Sequence, residues 1–367
     1  MMTKLRTGLA TVRTPSKWPS WLPLLSFPIL LAAQLLAAPG IILFVLSIIA
    51  IIALAAQMGR STEELAGHFG STLGGFFNAT FGNAAEFIIA IVAINAGLFD
   101  LVKASLTGSI IGNILFVMGA SFFVGGLRYR EQSFDVKQAG LNSTMLLIAV
   151  ASMLVPSAFF FFAQSTPGHD IGVETEQLSL FVAVLMISLY VLSLVFSFHT
   201  HAYLFRKRLH EAPKGRADHA ILVLLLSTVA LALASEIFTH QLTGVAAQFN
   251  LSQIFMGAVV VALVGNAAEH MSALSAAKKN DLDLALAITI GSSIQIALLV
   301  APLLVLVSYF ILGTPLNLVF SLFEILAVFA AVLIVNEISS DGQTNWFEGA
   351  QLMAMYMILA GLFFFVV

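Results

Sequence analysis

The sequence predicts an all-α polytopic membrane protein with eleven transmembrane helices, arranged as one helix followed by two inverted repeats of five. Three observations support this prediction: the composition, the distribution of basic residues and an internal repeat. Of the 367 residues, 59% are hydrophobic and 10% are charged, and the mean hydropathy is +1.00. Soluble domains carry about 25% charged residues, so this composition is typical of a chain that crosses a membrane many times.

Eleven apolar segments are candidates for the transmembrane helices. A helix needs about 20 predominantly apolar residues to cross a bilayer. Segments of about that length lie near residues 19–38, 41–58, 73–95, 106–126, 139–162, 178–198, 220–239, 253–276, 284–311, 316–336 and 347–367.

The basic residues assign an orientation to these segments. If the N-terminus is cytoplasmic, fifteen of the sixteen Lys and Arg residues fall in inner loops, and only Lys103 falls outside. Such an excess of cytoplasmic Lys and Arg is the rule for membrane proteins. We therefore predict a cytoplasmic N-terminus and an outer or luminal C-terminus. We expect a plasma (inner) membrane rather than a vacuolar-type one.

The second half of the chain repeats part of the first. The segment 82–119 aligns with 265–302 without a gap, and fifteen of the thirty-eight positions are identical. Each half contains five predicted helices, and five is odd, so the second half must enter the membrane upside down. This is the inverted-repeat plan of secondary transporters. The predicted units are 1–40 (basic N-terminus and first helix), 41–198 (first repeat), 199–219 (basic cytoplasmic linker) and 220–367 (inverted second repeat).

The strongest signal in the repeat is the pentapeptide GNAAE, which occurs twice inside long apolar runs. Its polar side chains are Asn83, Glu86, Asn266 and Glu269. A charged carboxylate in the centre of a membrane helix costs roughly 2.5–3.5 kcal/mol on insertion scales, so two of them call for a partner. A spacing of three predicts that Asn and Glu share one helix face. Inverted symmetry can then bring the two copies of the motif face to face. The alternative is that each glutamate forms a structural hydrogen bond to a neighbouring helix.

Carboxylate and amide oxygens are the ligands of a hard cation. Ca²⁺ accepts six to eight oxygens in flexible geometry, whereas Mg²⁺ retains its waters. Two carboxylates neutralise one Ca²⁺ or, equally, take up two protons. The empty, doubly ionised site is the costly form, because neighbouring like charges resist joint ionisation in a low dielectric. The residues thus indicate exchange of Ca²⁺ for H⁺ at Glu86 and Glu269, with no cofactor beyond the transported ions.

A polar patch follows each copy of the motif in the next helix, and its members are Ser109, Asn113, Ser292 and Gln295. We interpret these side chains as a polar pathway that hydrates the site or holds the glutamates. The alternative is that the small residues serve helix packing.

Two further intramembrane acids, Glu236 and Glu324, are candidates for a proton relay. The alternative for each is that its carboxylate forms a local hydrogen bond or extends to the membrane–water interface. His270 points about 100° away from Glu269 around a helix, so we expect it to be packed or hydrogen-bonded rather than a ligand.

Several stretches of the sequence resemble the cation/proton exchanger branch of the calcium/cation antiporter superfamily. They are FNATFGNAAEFIIAI, GSIIGNILFVMGASFFVGG, GNAAEH, GSSIQIALLVAPLLVL and DGQTNWFEGAQLMAMYMILA. The resemblance implies a Ca²⁺/H⁺ antiporter in which Glu86 and Glu269 bind Ca²⁺ and are protonated in exchange, assisted by Asn83 and Asn266. It also implies eleven helices, of which the second and seventh slide obliquely. The basic linker departs from the acidic segment that family members often carry, so regulation by that segment does not transfer.

Other functions fit the sequence less well. A Na⁺/Ca²⁺ exchanger or another divalent-cation antiporter is the nearest alternative, although the former usually has Ser or Thr and Pro beside the acid. An intramembrane enzyme lacks a supporting motif, and a channel would need weak, multi-site binding. The chain has no Cys, which excludes thiolate metal sites. Its scattered basic residues give no support to nucleic-acid binding. The expected partners are the two ions and the lipid bilayer, and the sequence leaves the oligomeric state open.

Overall fold

The computed structural model describes residues 22–68, 80–166, 168, 170–201 and 217–365. The N-terminal segment, the start of the predicted third span and most of the predicted linker (202–216) lie outside the described residues. The first helices are α1 (Ser26–Leu35), α2 (Gly40–His68), α3 (Ala84–Asn95), α4 (Phe99–Arg128), α5 (Val136–Gln164) and α6 (Ile171–Thr200). They are followed by α7 (Ala217–Gln248), α8 (Gln253–Gly265), α9 (Ala267–Lys278), α10 (Leu282–Leu312), α11 (Leu322–Ile338) and α12 (Trp346–Phe365).

Seven of the described helices are long and apolar enough to cross a membrane. The pair α8 and α9 forms one further apolar unit that is bent by 61°. α1, α3 and α11 are shorter, with 10, 12 and 17 residues. Each predicted span contains at least one described helix, while the number of crossings, eleven, stays a prediction.

α2 and α7 form the most extensive helix–helix contact among the described elements. They contain 29 and 32 residues, well beyond the predicted spans 41–58 and 220–239. At about 1.5 Å per residue, both exceed the hydrocarbon thickness of about 30 Å, so they tilt or project beyond it. The rings of Phe44 and Phe238 stack between them with centroids 5.2 Å apart.

The predicted tenth span, 316–336, is wrong at its start, because residues 315–320 have no regular secondary structure and α11 begins only at Leu322. Leu316, Leu318 and Phe320 of this segment are buried all the same, and buried backbone needs hydrogen-bond partners. Serine hydroxyls of neighbouring helices supply them: they accept from the amides of Leu316 (Ser308, 2.8 Å), Leu318 (Ser179, 3.1 Å) and Phe320 (Ser157, 2.9 Å). The hydropathy of the segment did not reveal the extended conformation, since a buried strand and a buried helix can have the same run of apolar residues.

The secondary structure repeats in the same register as the sequence. α3 (Ala84–Asn95) and α9 (Ala267–Lys278) begin and end at equivalent positions of the gapless alignment. A π-helical segment interrupts α4 at Gly112–Val117, and another interrupts α10 at Ile296–Val300. Such π segments occur mostly as single turns within α-helices, often at functional sites.

A pair of two-residue strands joins the loop that follows α4 to the loop between α11 and α12. β1 (Gln132–Ser133) pairs antiparallel with β2 (Gln343–Thr344). The side chain of Gln132 also donates to Asn280 at 2.7 Å, so the pair is fixed to the loop that follows α9.

α4 and α8 cross closely because each contributes a glycine to the contact. A Cβ atom on Gly108 would clash with the backbone of Ala258, and one on Gly257 would clash with the carbonyl oxygen of Leu101. Small residues are the usual means by which membrane helices approach each other, since packing rather than hydrophobicity drives their association.

Gly108→Ala should therefore destabilise the protein by about 1–3 kcal/mol, the usual cost of overpacking a tight contact. Its new methyl group meets backbone that cannot rotate away. Gly140→Ala on α5 is the matched control, because a Cβ there meets nothing within 4 Å. Thermal unfolding of both purified variants in detergent measures the difference. Equal unfolding temperatures for the two variants would contradict the tight crossing.

Candidate ion-binding site

Both GNAAE motifs interrupt their helices, which corrects the prediction that Asn and Glu share a face of a continuous helix. Asn83 precedes α3 with φ −96° and ψ 24°, and Asn266 separates α8 from α9 with φ −89° and ψ 4°. Asparagine side chains compete with the backbone for its hydrogen bonds, which favours such breaks. Here the Asn266 amide donates to the carbonyl oxygen of Ala262 at 2.9 Å, in the last turn of α8.

The break gives each glutamate a defined electrostatic position. Glu86 is the third residue of α3, and Glu269 is the third residue of α9. The N-terminus of a helix carries partial positive charge, which stabilises a nearby carboxylate by typically about 0.3–1 kcal/mol. Discontinuous helices that point their ends at an ion are a recurring device in transporters.

The two copies of the motif meet in space. A Cβ atom on Gly265, in the second copy, would lie 3.2 Å from Cγ and 3.3 Å from Oε1 of Glu86, in the first copy. Glu86 also lies near enough to Glu269 for their charges to repel each other. Gly265 therefore admits the Glu86 side chain, and the two motifs are in contact.

Asn83 presents an unused oxygen at this site. Its side chain is 2% exposed, and its amide donates to Oε1 of Gln295 at 2.6 Å. Its Oδ1 is buried and has no hydrogen-bond partner within the described part of the chain. A buried acceptor without a partner costs about 1–3 kcal/mol, so this oxygen is a natural ligand for an incoming cation.

Asn266 is held more fully than Asn83. Its amide donates to Ser109 Oγ at 2.9 Å, and its Oδ1 accepts a long bond from Asn113 at 3.4 Å. Asn113 Oδ1 is in turn 3.2 Å from His270 Nε2. His270 is hydrogen-bonded, as the sequence led us to expect.

Hydroxyl groups contact both carboxylate regions. Ser292 Oγ donates a short hydrogen bond to Oε2 of Glu269. Ser109 lines a cavity of about 10 Å³, about the space that one water molecule requires, beside Glu86. The other lining residues are Ile89, Ser105, Leu106, Val261, Gly265 and Ile296. The structure thus brings all four predicted pathway residues to the two motifs.

The two predicted relay acids lie elsewhere. Glu236 is an exposed side chain on α7. Glu324 is 3% exposed, but it bonds Thr107 and Ser321 rather than either motif. The relay role of both acids stays a prediction.

The donor set differs from that of a permanent metal centre. The described residues contain no group of three or more His, Cys, Asp and Glu side chains placed to hold a metal. Two carboxylates supplemented by neutral oxygens suit a cation that enters and leaves, because a weaker cage releases its ion more readily.

The helix breaks and the π segments were not predicted from the sequence. The Gly-Asn pair in the middle of each apolar run was the available signal, since both residues favour turns over helix interiors. The π segments carry no comparable mark in the sequence.

These features define the class: a helical membrane protein with paired broken helices is a secondary transporter. The profile of the sodium/calcium exchanger protein family matches residues 39–199 and 219–365, and the chain belongs to that family. The family consists of antiporters rather than enzymes.

Relatives cover nearly the whole chain. A Ca(2+)/H(+) antiporter of Synechocystis sp. is 43% identical over 360 residues, which cover 92% of this chain and 95% of the relative. The Ca(2+)/H(+) antiporter ChaA of Bacillus subtilis is 42% identical over 347 residues, covering 92% and 96%. These matches confirm the predicted exchanger branch.

Solved structures confirm the fold class. Native YfkE superposes with a TM-score of 0.80 at 40% identity, covering 95% of this chain and 100% of that one. The H+/Ca2+ exchanger CAX (TM-score 0.70, 15% identity, covering 96% and 92%) and the sodium-calcium exchanger NCX_Mj (0.55, 17%, covering 88% and 98%) share the fold alone. The chain is an all-α polytopic membrane protein, as predicted.

Proposed function

We propose that this protein exchanges cytoplasmic Ca²⁺ for H⁺ from the other side of the membrane, by alternating access at Glu86 and Glu269. One observation carries the proposal: Gly265 of the second motif receives the Glu86 side chain of the first. Two carboxylates at helix N-termini thereby face one small space. The two bacterial relatives are named as Ca²⁺/H⁺ antiporters, which favours Ca²⁺ and H⁺ as the ions.

The charges explain why transport is an exchange. The ion pair within the described part of the chain joins Lys103 and Asp100 and involves neither glutamate, so the two carboxylates have no permanent cationic partner there. Leaving both ionised and empty costs Coulomb repulsion in a low dielectric. One Ca²⁺ or two protons remove that cost, and the site changes sides in either loaded form. Asn83 Oδ1, which lacks a partner among the described residues, joins the carboxylates as a Ca²⁺ ligand, and Asn266 supports it.

Alternating access follows from the inverted repeats. The equivalent bounds of α3 and α9 support the division into repeats 41–198 and 220–367. α2 and α7 occupy equivalent places in the two halves, and we assign the sliding movement to them. The bacterial relatives favour the plasma membrane, with the N-terminus in the cytoplasm.

A Na⁺/Ca²⁺ exchanger is the second candidate, because the family profile carries that description and NCX_Mj shares the fold. The two candidates differ in the ion that neutralises the glutamates. Protons bind one to a carboxylate and need no cage, whereas Na⁺ needs several oxygens.

Ca²⁺ uptake into inside-out vesicles that are acidified within separates the two candidates. Proton exchange predicts uptake that stops when a protonophore collapses the pH gradient and that is unchanged when choline replaces Na⁺. Vesicles with the Glu86→Gln variant provide the matched control for leakage. Uptake that survives the protonophore, or that requires Na⁺, would reject the proposal in favour of the second candidate.

A further inference from the structure

One face of α4 carries polar residues that the other half of the protein lacks. Asp100, Lys103 and Thr107 follow each other at helical spacing, so their side chains share a face. The aligned positions of the second repeat hold Asp283, Leu286 and Ile290. Lys103 and Thr107 therefore have apolar counterparts, so the symmetry of the two repeats does not explain why these two positions are polar.

This face of α4 meets a buried carboxylate on α11. Thr107 Oγ1 lies 3.2 Å from Oε1 of Glu324, and the amide of Ser321 donates to Oε2 at 2.8 Å. Ser321 Oγ accepts in return from the Glu324 amide, which completes a capping box at the start of α11. Glu324 is 3% exposed, so water contributes little to its solvation.

The hydrogen bonds around Thr107 can accommodate Glu324 in either protonation state. Thr107 Oγ1 is within 3.1–3.2 Å of three acceptors, namely the carbonyl oxygens of Lys103 and Ala104 and the Glu324 carboxyl group. A hydroxyl group has one hydrogen to donate but can accept twice. If Glu324 carries a proton, it donates to Thr107, and Thr107 donates to its own helix. If Glu324 is ionised, Thr107 must turn its hydrogen towards the carboxylate.

Lys103 offers the ionised form a partner that it does not use here. Its ammonium group lies 3.2 Å from Asp100 Oδ1, and its side chain is 15% exposed, against 70% for Asp100. It also lies close enough to Glu324 for electrostatic attraction. Lys103 is thus placed near an exposed acid and a buried one, and it pairs with the exposed one in this structure.

Few other charges bear on Glu324. α11 packs against α4, α5 and α12. Glu324 lies in the first turn of α11. The other charged residues of α5, α12 and α11 itself lie at the other end of the bundle: Lys137 of α5, Glu348 of α12 and Glu337 of α11. Tyr356 of α12 is uncharged. Asp100 and Lys103 are therefore the charged groups nearest to the carboxylate along the face that contacts it.

We propose that Glu324 is a proton-binding site separate from the central carboxylate pair, and that loss of its proton transfers Lys103 from Asp100 to Glu324. The polar face leads from the exposed Asp100 down to Glu324, so the proton exchanges with the side of the membrane on which Asp100 lies. Because α4 also carries Ser109 beside the central cavity, the proton on Glu324 acts on a helix of the ion site. The proposal does not rest on which ions the protein exchanges.

Infrared difference spectroscopy of the purified protein in lipid, recorded against pH, tests the proton directly. We expect one component band of the carboxylic-acid C=O absorption, additional to those of Glu86 and Glu269, to disappear on alkalinisation in the wild type and to be missing at every pH from Glu324→Gln. The glutamine oxygen still accepts from the Ser321 amide, so the cap of α11 is kept. Glu236→Gln is the matched control and should retain the band. A Glu324→Gln spectrum that is identical to the wild type at all pH values would overturn the proposal.

Two variants that keep Glu324 test the transfer of Lys103. Asp100→Asn frees Lys103 to stabilise the ionised carboxylate, so the band should disappear at lower pH. Lys103→Met removes that charge, so the band should disappear at higher pH. Each shift should be about one pH unit or more, the size that one nearby opposite charge produces. An unchanged titration in both variants would reject the transfer.

Discussion

Glu86→Gln and Glu269→Gln are each expected to abolish Ca²⁺ transport while leaving the protein folded and inserted. Glutamine preserves the shape of the side chain and one oxygen, but it removes the negative charge. A single remaining carboxylate leaves Ca²⁺ with an unbalanced positive charge in a low dielectric, where Coulomb energies amount to several kcal/mol. A loss of at least about 3 kcal/mol corresponds to a hundredfold or greater fall in affinity.

Radioactive Ca²⁺ flux in reconstituted vesicles measures this effect, and size-exclusion chromatography in detergent checks the fold. Ser109→Ala and Ser292→Ala should reduce transport more mildly, since each removes only a neutral hydrogen bond of about 1 kcal/mol. Glu337→Gln is the matched carboxylate control, because Glu337 is exposed near the end of α11 and has no assigned role. If either single glutamate variant transports at the wild-type rate, the site assignment fails. Complete loss in a serine variant would mean that the ligands are ranked wrongly.

The sequence was sufficient for the class of fold and for the expectation that the two motifs meet. Composition and loop charge indicate a membrane protein, because apolar segments of about 20 residues separated by basic loops are typical of chains that cross a bilayer. The two copies of GNAAE predicted that Glu86 lies close to the second motif. Repeated intramembrane carboxylates are costly, so a sequence that keeps two in one frame indicates that they act together.

The backbone at the site was not predictable in the same way. The helix breaks at Asn83 and Asn266 depend on side-chain competition for backbone groups, which hydropathy does not register. The buried extended segment before α11 depends on three serine hydroxyls from separate helices. The unused oxygen of Asn83 depends on the direction in which its amide turns towards Gln295. The orientation of Asn83 and two of the three serine contacts are set by distant parts of the chain.

The second large effect concerns the coupling of Ca²⁺ to protons. If Ca²⁺ binds only when Glu86 and Glu269 are both ionised, its binding must release the protons that they carried, and its apparent affinity must weaken as pH falls. The sign follows from mass action: lowering pH increases the protonated, non-binding population. Where both carboxylates are protonated in the empty site, two protons leave for each Ca²⁺. The apparent Kd should then rise by about a hundredfold for each unit of pH lowered, since each proton contributes a factor of ten.

Isothermal titration calorimetry in two buffers of different ionisation enthalpy counts the released protons. We expect the count to approach two per Ca²⁺ at low pH and to fall towards zero at high pH, in macroscopic steps that belong to the pair rather than to either glutamate. Glu337→Gln should leave the count unchanged, because that side chain is exposed near the end of α11. Ca²⁺ binding that releases no protons at any pH would separate the two ions physically. The shared use of Glu86 and Glu269 would then be wrong, even if a pH gradient still drove transport.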